Sequence, residues 1–315
     1  MQSPSSQPRI ALLVVLLSMV VSSVGCTARN PNYVSDNPYS QPRTTESGTT
    51  EKQLEELNIA VIPHRSSKEE EHKMSVLADY LQQVLGLPVN IQLTKDYETS
   101  IDLLVTQQVQ MAYLGPFAYV KAKERNSELE PIVSHIEKTT GRPWYTSAIV
   151  VNTESAIAKV EDLQGKRFGF VSESSTSGYL FPSAHLQKSG LNPKTDFAAI
   201  HYAGSHDNNV TALAEGEVDA IAINKSTYLL AKESGTLPES QYQIIWESEP
   251  IPNSPIVISN QLPTSLKFKL KKALINAPSG VVAVGGMNAD GYTLVEDEDY
   301  EPIREVKKLL DFENF

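Results

Sequence analysis

A β-branched apolar run, Leu57–Pro63 (LNIAVIP), is followed by a helical pattern and then by a second apolar run, Pro88–Leu93. In the middle segment Met74, Leu77, Ala78, Leu81, Val84 and Leu85 recur at helical spacing and Gly86 closes the pattern. Strand, helix and strand in such short succession pair in parallel through right-handed crossovers, which leaves few architectures open. The series continues with a helix over Ser100–Gln108 and a strand over Val109–Leu114, broken by Gly115-Pro116. A second series begins after Tyr145. Its strands are Ala148–Val151, Arg167–Val171, Phe197–Tyr202 and Val218–Ile223, and its helices are Gly178–Ser189 and Asp207–Glu215. Tyr242–Ile258, with Pro250, Pro252 and Pro255, crosses back, and helices over Leu262–Asn276 and Pro302–Leu310 complete the chain. The expectation is an α/β fold of two lobes with a cleft between them. Ligands of open α/β sheets sit at the carboxyl ends of strands, so the loops after Leu114, Val171, Tyr202 and Ile223 converge on the expected site.

The N-terminal stretch has a different character. Arg9, the apolar run Ile10–Val21 and small residues up to Cys26 form the pattern of an export signal, too short to span a bilayer. Cys26 is the sole cysteine, which excludes an intramolecular disulfide and a cysteine-cluster metal site. Placed after Ser23-Val24-Gly25 it resembles a lipobox cysteine, although Ser23 stands where a leucine is usual. Residues 27–54 are rich in Asn, Pro, Ser, Thr and Gln and cannot bury enough apolar surface to offset ordering, as expected of a tether.

The net charge of −11 offers no basic stripe for nucleic acid. An anionic ligand has to be held by local groups against that overall field.

Three segments carry chemistry. Ser172-Glu173-Ser174-Ser175-Thr176-Ser177-Gly178 lies between a strand and a helix and holds five hydroxyl residues where one cap needs one or two. Such hydroxyls and the free N–H groups of a helix start can surround an anion, or can simply overbuild a cap. Gly204-Ser205-His206-Asp207-Asn208-Asn209 occupies the equivalent place after the next strand. Ser205 or Asp207 is a natural cap, and His206 is either a ligand donor or a satisfied loop histidine. Ala112-Tyr113-Leu114-Gly115-Pro116-Phe117-Ala118-Tyr119 ends a strand with tyrosines on either side. Tyr113, Tyr119 and also Tyr145 present a polar tip on an apolar body, whereas Phe117 reads as packing.

Taken in order, residues 113–119 (YLGPFAY), 174–182 (SSTSGYLFP) and 204–210 (GSHDNNV) resemble the phosphate/phosphite/phosphonate-binding proteins of ABC importers. The resemblance runs from about Leu57 to the last helix. It implies a type II periplasmic-binding-protein fold whose lobes close by a hinge around an interlobe ligand, with lobe 1 formed by residues 55–147 plus 252–315 and lobe 2 by 148–251. It implies that Ser175, Thr176 and Ser177 form the oxyanion loop, that His206 binds the phosphoryl group, and that Tyr145 and Tyr113 line the ligand. It implies a non-enzymatic, cofactor-free monomer that delivers its guest to an ABC permease; with the lipobox resemblance, its expected place is the periplasmic face of the inner membrane, anchored through lipidated Cys26, or, with ordinary cleavage near Gly25, the periplasm or cell surface. Members that take aminoalkylphosphonates carry an acidic residue in an Ile-Pro-x-Asp-Pro stretch. This chain reads Ile251-Pro252-Asn253-Ser254-Pro255, and its first loop, 63–67 (PHRSS), also departs. Both departures favour a ligand without an amine: phosphite, methylphosphonate or phosphate.

Other classes compete with this reading. A Ser/His phosphoesterase lacks a Gly-x-Ser-x-Gly elbow. Metal capture finds six histidines, His64, His72, His135, His185, His201 and His206, without a His-x-x-x-His pair. A sulfonate or a thiamine precursor on the same fold calls for more aromatic stacking and fewer hydroxyls than Ser174–Ser177 supply.

Overall fold

The computed structural model describes residues 54–63, 68–138, 140–278, 280–281 and 289–312. The export signal, Cys26, nearly all of the tether and the loop at 64–67 lie outside the described residues.

The first half runs β1 (Leu57–Val61), α1 (Lys68–Leu85), β2 (Val89–Leu93), α2 (Tyr97–Val105), β3 (Met111–Tyr113), α3 (Pro116–Arg125) and β4 (Leu129–Glu137). Then come β5 (Trp144–Tyr145), β6 (Ser147–Asn152), β7 (Arg167–Phe170), a π-helical turn (Thr176–Leu180), α4 (Phe181–Lys188), β8 (Ala199–Tyr202), α5 (His206–Ala214), β9 (Ala220–Asn224) and α6 (Lys225–Glu233). The chain ends with β10 (Tyr242–Glu247), β11 (Ile251–Pro252), β12 (Pro255–Ser259), α7 (Thr264–Ile275), β13 (Ala289–Leu294) and α8 (Glu301–Phe312).

These strands form a six-stranded sheet, β13-β4-β12-β3-β1-β2, and a five-stranded sheet, β10-β6-β9-β7-β8. The expected parallel pairing holds for β2-β1-β3 and for β8-β7-β9. The remaining pairs are antiparallel, because β12, β4, β13, β6 and β10 come from segments that cross between the sheets or return along them. The two crossing segments meet as a ribbon of their own, with Tyr145 opposite Ile251 and Trp144 opposite Pro252.

Period-two alternation explains the five-stranded sheet. On β6, Ala148 and Val150 join a core with Val210, Leu213, Ile221, Ile223 and Tyr228 beneath α5 and α6. Ile149 and Val151 point the other way, into a core with Phe168, Phe170, Leu186, Ala220 and Ala222 beneath α4. The alanines of β9 leave room for the two phenylalanines of β7, and Phe197 stacks on Phe168 with ring centroids 4.9 Å apart. The central strands β6 and β9 are buried on both faces and are apolar nearly throughout, and each large side chain buried this way contributes roughly 1.5–3 kcal/mol.

Several elements were not expected from the sequence, among them α3, β4, α6 and β13. Gly115-Pro116 reads as the end of a strand, but Gly115 is also the N-cap of α3 and Pro116 its first residue, where a missing N–H does no harm. β4 contains Pro131, which argues against a central strand. The register of β4 against β12 shifts there: Ile256 opposes Val133 and Val257 opposes Pro131, a bulge that needs no donor from the proline.

Candidate functional site

After β7 the chain turns back sharply. Ser175 N–H donates to the Ser172 carbonyl (2.8 Å) and Val171 N–H to the Gly178 carbonyl (3.0 Å). Ser175 caps the helical segment, its Oγ accepting from Gly178 N–H at 3.1 Å. Leu180 N–H reaches the Ser175 carbonyl (3.0 Å), an i→i−5 bond that makes the first turn a π turn. Such wide turns recur at functional sites. The sequence pattern places the helix start at Gly178; the extra residue in the turn moves it to Thr176. Ser174, Ser175, Thr176 and Ser177 are all buried, none above 2 % exposed.

Gly178 is required by the packing of the turn itself. A Cβ there would stand 2.5 Å from Val171 Cβ and 2.9 Å from Ser175 Oγ, so the glycine lets the turn fold onto itself. Ser174 also departs from the expected donor set. Its hydroxyl bonds the Glu98 carboxylate and accepts from Lys121 Nζ at 2.5 Å, and Lys121 also pairs with Glu98 at 2.6 Å. It therefore ties the loop after β7 to α2 and α3 of the other half. Burial tends to raise the Glu98 pKa, but the Lys121 and Ser174 bonds overcome it and hold the carboxyl below its ordinary value. A depressed folded pKa means that this stability is complete above the unfolded carboxylate range, about pH 4.3, and is lost as pH falls through the folded value. Glu98→Gln is accordingly expected to flatten the acid limb of the melting-temperature profile. An unchanged acid limb would remove Glu98 from this role.

Thr176 faces α3. Its Oγ1 accepts from Phe117 N–H at 2.8 Å, one of the donors that a helix start leaves without an intrahelical partner. A hydroxyl that accepts there keeps its own proton to donate elsewhere. The N-termini of α3 and of the π turn therefore approach one another at Thr176, and both contribute positive potential. The Tyr145 hydroxyl, on β5, lies against the Ser177 and Thr176 side chains. Burial pushes its pKa up to about 12, with the two hydroxyls offsetting part of the rise, so it stays a neutral donor near pH 7. Tyr97 of α2, which no sequence motif marks, is buried against Ser175 in the same way, and burial raises its pKa as well.

His206 is the first residue of α5, capped by Ser205, whose Oγ accepts from Asn208 N–H at 3.1 Å. Asn224 N–H donates to His206 Nδ1 at 3.3 Å, which assigns the ring proton to Nε2. Asn224 pairs with Ser147 across β9 and β6, and Ser147 Oγ donates to the Ser177 carbonyl at 2.7 Å. His206 and the serine loop are thus fixed to one corner of the sheet. Asn209, fully buried, holds α5 in place by donating to the carbonyls of Gly169 (2.9 Å) and Ala222 (3.0 Å). The gap at Gly169 admits it: a Cβ there would collide with the Asn209 amide. Asn209→Ala is expected to lower stability by about 1–3 kcal/mol in urea unfolding, since two buried carbonyls lose their donors. A change within error would show that α5 is held by other means.

Tyr113, at the end of β3, is buried with no hydrogen-bond partner for its hydroxyl. Burial raises its pKa, and Tyr292, Tyr145 and Glu137 add to the rise at electrostatic range. Tyr119 does not join this group: its hydroxyl bonds Asp297. Ser254 lies against Tyr113, and neither it nor Asn253, also buried, supplies a charge; Asn253 Nδ2 donates to the His135 carbonyl at 3.3 Å and Tyr300 OH to the Asn253 carbonyl at 3.1 Å. An open surface groove lined by Leu54, Asn58, Gln110 and Ser259 lies at the amino ends of β1 and β3, the end of the sheet away from Tyr113.

Comparison with known proteins bears on this arrangement. The family described as ABC transporter, phosphonate, periplasmic substrate-binding protein matches residues 59–300. The phosphate-import protein PhnD of Mycolicibacterium smegmatis is 27% identical over 281 residues, 83% of this chain and 88% of that one. A binding-protein component of a Pseudomonas aeruginosa ABC phosphonate transporter has 25% identity and a TM-score of 0.73, over 81% of this chain and 86% of that one. PhnD1 of Prochlorococcus marinus, solved with methylphosphonate, shares the fold with a TM-score of 0.73 at 20% identity, over 82% of this chain and 98% of that one. The family match spans most of the chain, and this chain belongs to the periplasmic substrate-binding proteins of ABC phosphonate transporters.

Proposed function

We propose that this receptor captures a small phosphorus oxyanion (phosphite, methylphosphonate or phosphate) and hands it unchanged to an ABC permease. Ser175, Thr176, Ser177 and His206 bind the oxyanion, with Tyr145 and Tyr113 lining it. The observation that carries the reading is the meeting of two helix N-termini, those of α3 and the π turn, at a buried threonine. Donors of this kind favour negative charge without a bound cation. The neutral tyrosines add donors that keep their protons at pH 7.

The lobes divide as 55–147 plus 252–315 and 148–251, at the paired crossing segments β5 and β11. Cys26 carries a lipid anchor, residues 27–54 form the tether, and the receptor works as a monomer at the periplasmic face of the inner membrane. Binding by donors alone is sufficient in magnitude. Micromolar affinity needs about 8 kcal/mol, and charge-assisted hydrogen bonds supply ~1.5–3 kcal/mol each before ordering costs.

A thermal-shift panel of phosphate, phosphite, methylphosphonate, 2-aminoethylphosphonate and an alkylsulfonate tests the reading. The melting temperature is expected to rise with at least one of the first three and least with the sulfonate. A rise with the sulfonate alone would overturn it.

A further inference from the structure

Glu137 is the one acidic side chain that is fully buried among the described residues, 2 % exposed at the end of β4. Its Oε1 accepts from Ser226 Oγ (3.1 Å) and lies 3.7 Å from His135 Nε2, while Oε2 has no partner. Both nitrogens of His135 and the hydroxyls of Tyr113 and Tyr292 are likewise buried without hydrogen bonds. Buried polar atoms are ordinarily satisfied, so a concentration of orphans marks a place meant to receive a guest. The groups placed with Glu137 are His135 on β4, Tyr113 on β3, Tyr145 on β5 and Ser226 on α6, and Tyr292 on β13 pairs with His135. No cation is among them. Arg142, bridged to Glu137 through the backbone, is exposed and stacks over Trp144, and Lys225 is paired with Glu247 at 2.8 Å. Tyr145 links this cluster to the serine loop, since it lies against Ser177 and Thr176 and within electrostatic range of Glu137.

A carboxyl beside an oxyanion site repels its guest unless the guest brings a proton to share. Resting on the reading that the serine loop holds an oxyanion, we propose that Glu137 Oε2 accepts the hydroxyl hydrogen of a protonated oxyanion. The site then prefers hydrogen phosphate to guests with no P–OH, namely sulfate and fully ionised alkylphosphonates. The orphaned donors select this over an ammonium group. The two phenol hydroxyls and the imidazole N–H can donate to the other oxygens of an anion, whereas an ammonium offers them no acceptor.

Titration calorimetry on the full chain tests this with inorganic phosphate, methylphosphonate, sulfate and 2-aminoethylphosphonate at pH 7 and pH 9. At pH 9 phosphate still carries one hydroxyl, whereas a group with a last ionisation near pH 6–7 has none. Phosphate affinity is expected to change by less than about threefold between the two pH values, which also controls for the histidines and tyrosines, while methylphosphonate weakens by more than about tenfold. Sulfate is expected to bind at least about a hundredfold more weakly than phosphate. In Glu137→Gln the pH-dependent loss for methylphosphonate shrinks to less than about threefold. Methylphosphonate held equally at both pH values, sulfate bound as tightly as phosphate, or displacement of phosphate by 2-aminoethylphosphonate overturns the proposal and leaves the oxyanion loop standing. Should Glu137→Gln fail to fold, the wild-type panel decides alone. No binding of any of the four guests removes the loop reading and this proposal together.

Discussion

Thr176→Val is expected to weaken phosphate binding by about 10- to 150-fold while the ligand-free protein melts within a few degrees of wild type. Valine keeps the β-branched shape and volume, so the turn is not crowded. It deletes the hydroxyl that accepts from Phe117 N–H and that, in the proposed site, donates onward to the ligand. The first loss leaves a buried N–H without a partner in the closed state, at about 1–3 kcal/mol, and the second removes a charge-assisted donor. Thr176→Ser, which keeps the hydroxyl, is expected to recover most of the affinity. Calorimetric affinities for Val equal to those of wild type would eliminate Thr176 from the site.

The second large effect is on stability. Gly178→Ala places a methyl 2.5 Å from Val171 Cβ, and that carbon cannot retreat by rotation because it is fixed to the backbone where β7 ends. Val171 is itself buried in the core beneath the six-stranded sheet, so the turn or that core has to give way. Overpacking of this kind costs about 1–3 kcal/mol and occasionally more. The displaced turn carries Ser175–Ser177 with it, so urea unfolding and phosphate affinity should fall together. Gly204→Ala is the contrasting control. Nothing lies within 4 Å of its Cβ, and its φ of +79° penalises alanine through the backbone alone. Equal stability of Gly178→Ala and wild type would mean that the turn follows another path.

Much of this was legible in the sequence because the signals were local. The β-branched runs gave the parallel strands, and the hydroxyl-rich segment between a strand and a helix gave the loop at Ser175–Ser177. The departures share a physical cause: neighbours distant in the chain override a residue's local preference. Pro116 stops a strand and also starts α3. Pro131 disfavours a ladder and yet rests in the bulge of β4. Ser174 looks like one more donor to an anion, but Glu98 and Lys121, distant in sequence, claim it. Glu137 went unnoticed because its strand did, and Tyr97 because nothing around it in the chain marks it. The antiparallel half of each sheet depends on where the chain returns from the other half, which no short window of residues records.

The ribbon of β5 and β11 has a mechanical consequence. If the halves rotate about so short a pair of strands, atoms travel in proportion to their distance from it. Phe117 and Thr176, joined across the gap by a single bond, then separate, while Tyr145, built into the ribbon itself, stays nearly still. In the proposed site an arriving anion would meet Tyr145 in its final position before the threonine swings over, and the phenol would serve as the fixed jaw of the clamp.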